Sequence, residues 1–217
     1  ARKKADTDPM ALDLANTQAS HVVYACIDAS KPAFELLTLA RKMMAAQQKQ
    51  KAGRVGILLC GFEAKQAECV AEAIIAAVCA ATAVMPDYKS DKEEKPTLRR
   101  LDLYGLKVRH GFKRTLAEAR GNALARYLSI LPSNELTPAN YLKRIRRLAR
   151  ENKWKLEFYD DKALQKKKAG AFLAVTQGSP DKDAGIVRLR YTPGASQRNG
   201  KVVLVGKGIC YDTGGTN

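Results

Sequence analysis

Arg54-Val55-Gly56-Ile57-Leu58-Leu59-Cys60 is a short continuous apolar run, and Glu63 to Ala83 follows it with apolar residues at Val70, Ile74, Ile75, Val78 and Cys79. The first pattern suits a buried strand; the second has the spacing of a helix with one apolar face. After a charged excursion between Pro86 and Pro96, Leu101-Asp102-Leu103-Tyr104-Gly105-Leu106 resumes a strand-like pattern. Strand, helix, strand is the alternation of an α/β fold.

Working outward, Ser30 can cap a helix, Pro32 suits its first turn, and Phe34, Leu37, Arg41 and Met44 follow one helical stripe up to the polar Gln47–Lys51 end. On the other side, Leu116, Ala119, Ala123, Tyr127 and Ile130 mark one face of a helix over Thr115–Ile130 that stops before Pro132 and is placed to link two domains. Thr137-Pro138 is a helix entry: the threonine oxygen can accept a free N–H of the first turn, and the proline has no N–H to leave unpaired. Leu142, Ile145 and Leu148 then face inward, with Lys143, Arg144, Arg146, Arg147 and Arg150 on the remainder. Trp154–Tyr159, Ala171–Thr176, Ile186–Tyr191 and Lys201–Val205 read as strands of a second sheet. The expected organisation is an amino-terminal α/β domain with a mixed sheet over residues 1–108, a linking-helix region over 109–136, and a further α/β portion over 137–217.

Composition narrows the classes. With 217 residues and 46% hydrophobic content, the chain can bury a real core. A formal charge of +16 would draw nucleic acid, anionic lipid or an acidic partner, although a solvated basic surface is the more ordinary cause. Aromatics make up only 6%, and no run interleaves them with arginine and glycine as a base-stacking platform would. Cys26, Cys60, Cys69, Cys79 and Cys210 are odd in number and lack paired metal-ligand spacing, which fits a reducing, cytoplasmic compartment. The most apolar stretch, Val70–Val84, carries Glu72 and is too short to span a membrane. The basic start has no apolar core behind it, so it is not a secretory signal, and its lack of Met suggests processing or a fragment.

The chemistry concentrates at the end of the sequence. His21 and His110 are the only histidines, and neither an HExxH helix nor a Gly-x-Ser-x-Gly elbow occurs. Gly206-x-Gly208 lacks the third glycine that a dinucleotide loop needs to open its helix. In Val205 to Asn217, Lys207 precedes Asp212 by five positions among Gly206, Gly208, Gly214 and Gly215. A lysine binds a metal only as the neutral amine, a form that a nearby dication favours, and an aspartate has two oxygens with which to bridge two ions. Spacing alone equally allows a tight turn closed by a Lys–Asp ion pair.

The stretch Val205–Asn217 resembles the first metal motif of the leucyl (cytosol) aminopeptidase family, VGKGxxFDxGGxxxK, with Tyr211 where Phe is usual. Residues 125–138 are similar to the family's entry into its catalytic domain, and 169–179 to its strand and Gly-Ser turn; Asp87-Tyr88-Lys89-Ser90 is similar to a short amino-terminal pattern. The resemblance implies that residues 137–217 are the first part of an α/β metallopeptidase catalytic domain. It further implies that Lys207 is a ligand of one metal and Asp212 of both members of a two-metal pair. The implied activity is metal-dependent removal of amino-terminal residues, leucine-type, from peptides, with two zinc or manganese ions, in a cytoplasmic homo-hexamer. The family's catalytic lysine would fall just beyond Asn217, and its later aspartate and NTDAEGR stretch do not occur. The expectation is therefore an amino-terminal portion that is inactive, and holds no stable metal pair, without a carboxy-terminal catalytic portion.

A different class stays open: a basic nucleic-acid-binding module, or a non-catalytic subunit, keeping the aminopeptidase fold. It would use Lys143, Arg144, Arg146 and Arg147, with Arg109, Lys113, Arg114 and Lys166–Lys168 around them, and DNA would be the partner.

Overall fold

A computed structural model describes residues 8–48, 50–90, 98–108, 111–192 and 202–210. The chain divides into two compact units, Ala1–Ile130 and Leu131–Asn217.

In the first unit, β1 (Met10–Asp13) and β2 (His21–Tyr24) form an antiparallel pair, and α1 (Ala33–Gln48) follows. Next come β3 (Arg54–Leu58), α2 (Ala64–Thr82), β4 (Arg100–Tyr104) and α3 (Lys113–Ile130). β3 and β4 run parallel, and α2 supplies the crossover that parallel neighbours require. Antiparallel and parallel pairing thus both occur here, in separate two-stranded sheets. α2 starts with a capping box: Glu63 and Gln66 satisfy each other's free backbone N–H groups. It is flanked by α1 and α3, and Val70, Ala71, Ile74, Ile75 and Val78 are all buried. Val70 is only 1% exposed.

Two apolar assignments change in three dimensions. In α1 the buried stripe is Leu36, Ala40 and Met44, while Phe34 is 79% exposed. The 3.6-residue period is as expected, but the face is turned so that Leu36 joins the core cluster that holds the buried residues of α2. β3 is not buried on both sides: it alternates, with Val55 and Ile57 half-buried and Leu58 69% exposed. One face of this pair is covered and the other is open, so alternate side chains differ in burial. At the end of β4, Gly105 has φ +82°, and a Cβ there would lie 2.1 Å from the Leu59 carbonyl oxygen. Only glycine fits that close approach.

Register in the β3–β4 pair places Arg54 opposite Arg100, a like-charge pair that would repel. Asp102 resolves it. Its two oxygens accept from the two guanidinium Nε atoms, at 2.7 Å from Arg54 and 2.8 Å from Arg100. The hydrogen bonds from Arg100 and Arg54 hold the Asp102 carboxyl below its ordinary value. A carboxyl with a depressed folded pKa stabilises fully above its unfolded pKa and loses that contribution as pH falls through the folded value. Asp102→Asn should therefore lower the Tm at neutral pH, and the gap to the parent should close as pH drops below about 4. Thermal melts across that range check it; a gap that stays constant with pH would rule out the charge as its cause.

In the second unit, α4 (Pro138–Glu151) leads into β5 (Lys155–Tyr159), then α5 (Asp161–Lys166), α6 (Gly170–Thr176) and β6 (Ile186–Arg190), which pairs antiparallel with β5. The strands expected over Trp154–Tyr159 and Ile186–Tyr191 are β5 and β6. Ala171–Thr176 is helical, not a strand: the Leu173 N–H donates to the Ala169 carbonyl at 3.1 Å. A six-residue apolar run has no period long enough to decide between the two, and local helical hydrogen bonds take it here. Residues 202–205, also expected as a strand, have no regular structure, and Val202, Val203, Leu204 and Val205 are 80–95% exposed. Without a ladder partner among the described residues, β-propensity alone does not make a strand. Among the described residues no helix is long and apolar enough to cross a membrane.

Candidate functional site

α4 positions most of the residues singled out in the sequence. Its entry is built as the residues predict: the Thr137 side-chain oxygen accepts from the Asn140 N–H at 3.3 Å, and Pro138 occupies the first turn. Sequence reasoning missed a second cap. Asp183, from the segment before β6, accepts from the Ala139 N–H at 3.0 Å, placing a carboxylate at the positive end of the helix.

The glycine-rich stretch runs close to this end. A Cβ on Gly208 would lie 3.8 Å from the Tyr141 ring, and the Cys210 thiol is pushed up in pKa by partial burial and then by the nearby Asp183 charge. Lys207 is exposed on this irregular segment. Asp212 lies outside the described residues, as do Arg109 and His110. Among the described residues no three His, Cys, Asp or Glu side chains converge as a metal-holding group. Lys207 offers a single amine, so the described residues do not by themselves form a metal centre. His21 is tied to the β1–β2 pair, its Nδ1 2.7 Å from Asp13. All five cysteines are free thiols.

The basic residues of α4 differ in their surroundings. Lys143, Arg146 and Arg150, at spacings of three and four, line an open cleft of about 660 Å³ with Lys153, Trp154 and Lys155. Arg147 instead lies 3.6 Å from Glu151, one turn along, and Arg144 is half-buried. Arg146 stacks over the Phe158 ring, 5.9 Å from its centre. Of the surrounding cations, Arg114 is held by Glu118 at 2.8 Å and Lys167 lies over the Tyr159 ring. Sequence reasoning therefore named Lys143, Arg146 and Arg150 of the cleft but not Lys153, Trp154 or Lys155 as partners. The spacing of three and four between 143, 146 and 150 was the available signal.

Comparison with known proteins bears on the same region. The profile of the cytosol aminopeptidase family, catalytic domain, matches residues 123–217. A probable cytosol aminopeptidase of Ralstonia pickettii is 40% identical over 136 residues, 60% of this chain and 27% of that protein. The cytosol aminopeptidase of Pseudomonas aeruginosa is 41% identical over 138 residues, 61% of this chain and 28% of its own length. The chain thus spans less than a third of the curated relatives it matches. The fold is similar to that of a mutant tomato leucine aminopeptidase, with a TM-score of 0.73 at 19% identity over 88% of this chain and 40% of that one. It is also similar to the bottromycin maturation enzyme BotP in complex with Mn, with a TM-score of 0.62 at 22% identity over 87% of this chain and 40% of that one. The α/β architecture agrees with these solved structures, and residues 123–217, which take in the motif at Lys207, match the catalytic domain of the cytosol aminopeptidase family.

Proposed function

We propose that this chain is the amino-terminal unit and early catalytic part of a metal-dependent aminopeptidase that removes amino-terminal residues, with leucine-type preference, from peptides. The observation that carries the reading is the family match over residues 123–217, which takes in the Lys207 motif. Lys207 and Asp212 are the proposed metal ligands within the chain. Two divalent ions, zinc or manganese, would supply carbonyl polarisation and an activated water when bound. BotP is described in complex with Mn, which makes manganese the first ion to test. Because the relatives extend well beyond the matched region, the remaining ligands and the catalytic lysine are assigned to a further portion of the catalytic domain. A cytoplasmic homo-hexamer acting on peptides completes the proposal.

The test is hydrolysis of a leucyl amide by a protein that carries the whole catalytic domain. Activity should disappear with chelator and return with manganese or zinc, and the 217-residue chain alone should have none. Activity that survives full metal removal would refute the metal-dependent reading. The DNA-binding alternative, on Lys143, Arg144, Arg146 and Arg147, gains no specific support from the comparisons, whose named relatives are aminopeptidases.

A further inference from the structure

The C-terminal end of α4 is closed by a paired cap. The Trp154 N–H donates to the Ala149 carbonyl at 2.8 Å and the Lys153 N–H to the Arg150 carbonyl at 3.3 Å. This is the Schellman arrangement, in which the residue after the cap adopts a left-handed conformation and is usually glycine. Here that residue is Lys153, with φ +56°. The cap fixes the direction of Lys153 and sets Trp154 beside Ala149 in the wall of the cleft.

Among the described residues, five cations line this cleft and no carboxylate does. Lys155 lies 3.6 Å from Glu157, and Arg146 is held over the Phe158 ring. Lys143, Arg150 and Lys153 have no acidic partner within ion-pair distance among the described residues. The partial negative charge at a helix C-terminus, about half an elementary charge, accounts for one cation there and not for this group. The cleft is open to solvent and has a volume of about 660 Å³. Several cations with no acidic partner among the described residues suit a chain of phosphates, and an indole beside them suits an aromatic base.

We propose that the cleft between the end of α4 and the start of β5 binds a nucleoside polyphosphate, its phosphates on Lys143, Arg150 and Lys153 and its base against Trp154. The site is separate from the Lys207 segment and does not rest on the aminopeptidase reading.

Trp154 is the only tryptophan in the chain, so its fluorescence reports the site directly. Titrating the intact chain with ATP, with EDTA present and at about 0.1 M salt, should quench it saturably with a Kd below about 1 mM. Inorganic triphosphate should bind at least about five-fold more weakly, because it has no base to stack. Replacing Lys143, Arg150 and Lys153 together by Gln should weaken ATP binding at least about twenty-fold. Lys153→Gly gives a second variant whose fold is secure, since glycine suits the left-handed cap; its Tm should hold or rise while ATP binding weakens. The proposal is overturned by absence of saturable quenching, by equal binding of triphosphate and ATP, or by unchanged affinity in Lys153→Gly. Tight binding of a single-stranded oligonucleotide that ATP does not displace would overturn it as well, in favour of a polymer site.

Discussion

Lys207→Ala in the protein carrying the whole catalytic domain should lower kcat/KM for leucyl amide by at least about a hundred-fold and weaken metal binding in parallel. Losing an outer-shell partner of a metal ligand typically costs about ten- to a hundred-fold, so losing a proposed ligand should cost no less. Lys207 is exposed on an irregular segment, and surface substitutions of that kind shift stability by about 0.5 kcal/mol or less. Tm and activity should therefore part company: the fold stays and the reaction goes. Asp212→Asn should act the same way, since the amide is a far poorer bridge between two cations than a carboxylate. Kinetics and metal titration of both variants decide the matter. Normal turnover with normal metal affinity in either would remove that residue from the site.

Ile75→Ala should destabilise the first unit by about 2–5 kcal/mol, the largest stability effect expected of a single aliphatic truncation here. Ile75 is 4% exposed on α2, the helix flanked by α1 and α3. Truncation removes three carbons from a closely packed site that can collapse only partly, so both transfer and cavity costs apply. Leu58→Ala is the matched control. It removes the same number of carbons from an apolar run of the same helix–strand unit, yet Leu58 is 69% exposed and should lose about 0.5 kcal/mol or less. Denaturant titration of the two variants separates them. Equal losses would mean that the β3 run is covered as its sequence first suggested and that the alternating burial is wrong.

Much of the architecture is legible from near neighbours. The Val70, Ile74, Ile75, Val78 spacing defines α2, and Thr137-Pro138 marks the start of α4 because a cap is a property of four adjacent residues. The glycine-rich Lys207 motif is legible for the same reason. Ala171–Thr176 and residues 202–205 were not, because a short apolar run becomes a strand only if another strand accepts its hydrogen bonds. Nothing in six residues records that partner. The phase of α1 is not legible for the same reason: Phe34 and Leu36 are both apolar, and only the packing of the core around α1 decides that Leu36 is buried.

By itself the sequence determined the alternation of strands and helices, the helix starts and the family motif, since each follows from periodicity or from groups a few residues apart. The tertiary structure decided what depends on distant partners. It brought Asp102 between Arg54 and Arg100, Asp183 to the first turn of α4, and Lys153 and Trp154 into one cleft with Lys143. Charge pairing and burial fall off over a few ångströms in space whatever the separation along the chain, so these arrangements exist only once the chain has folded.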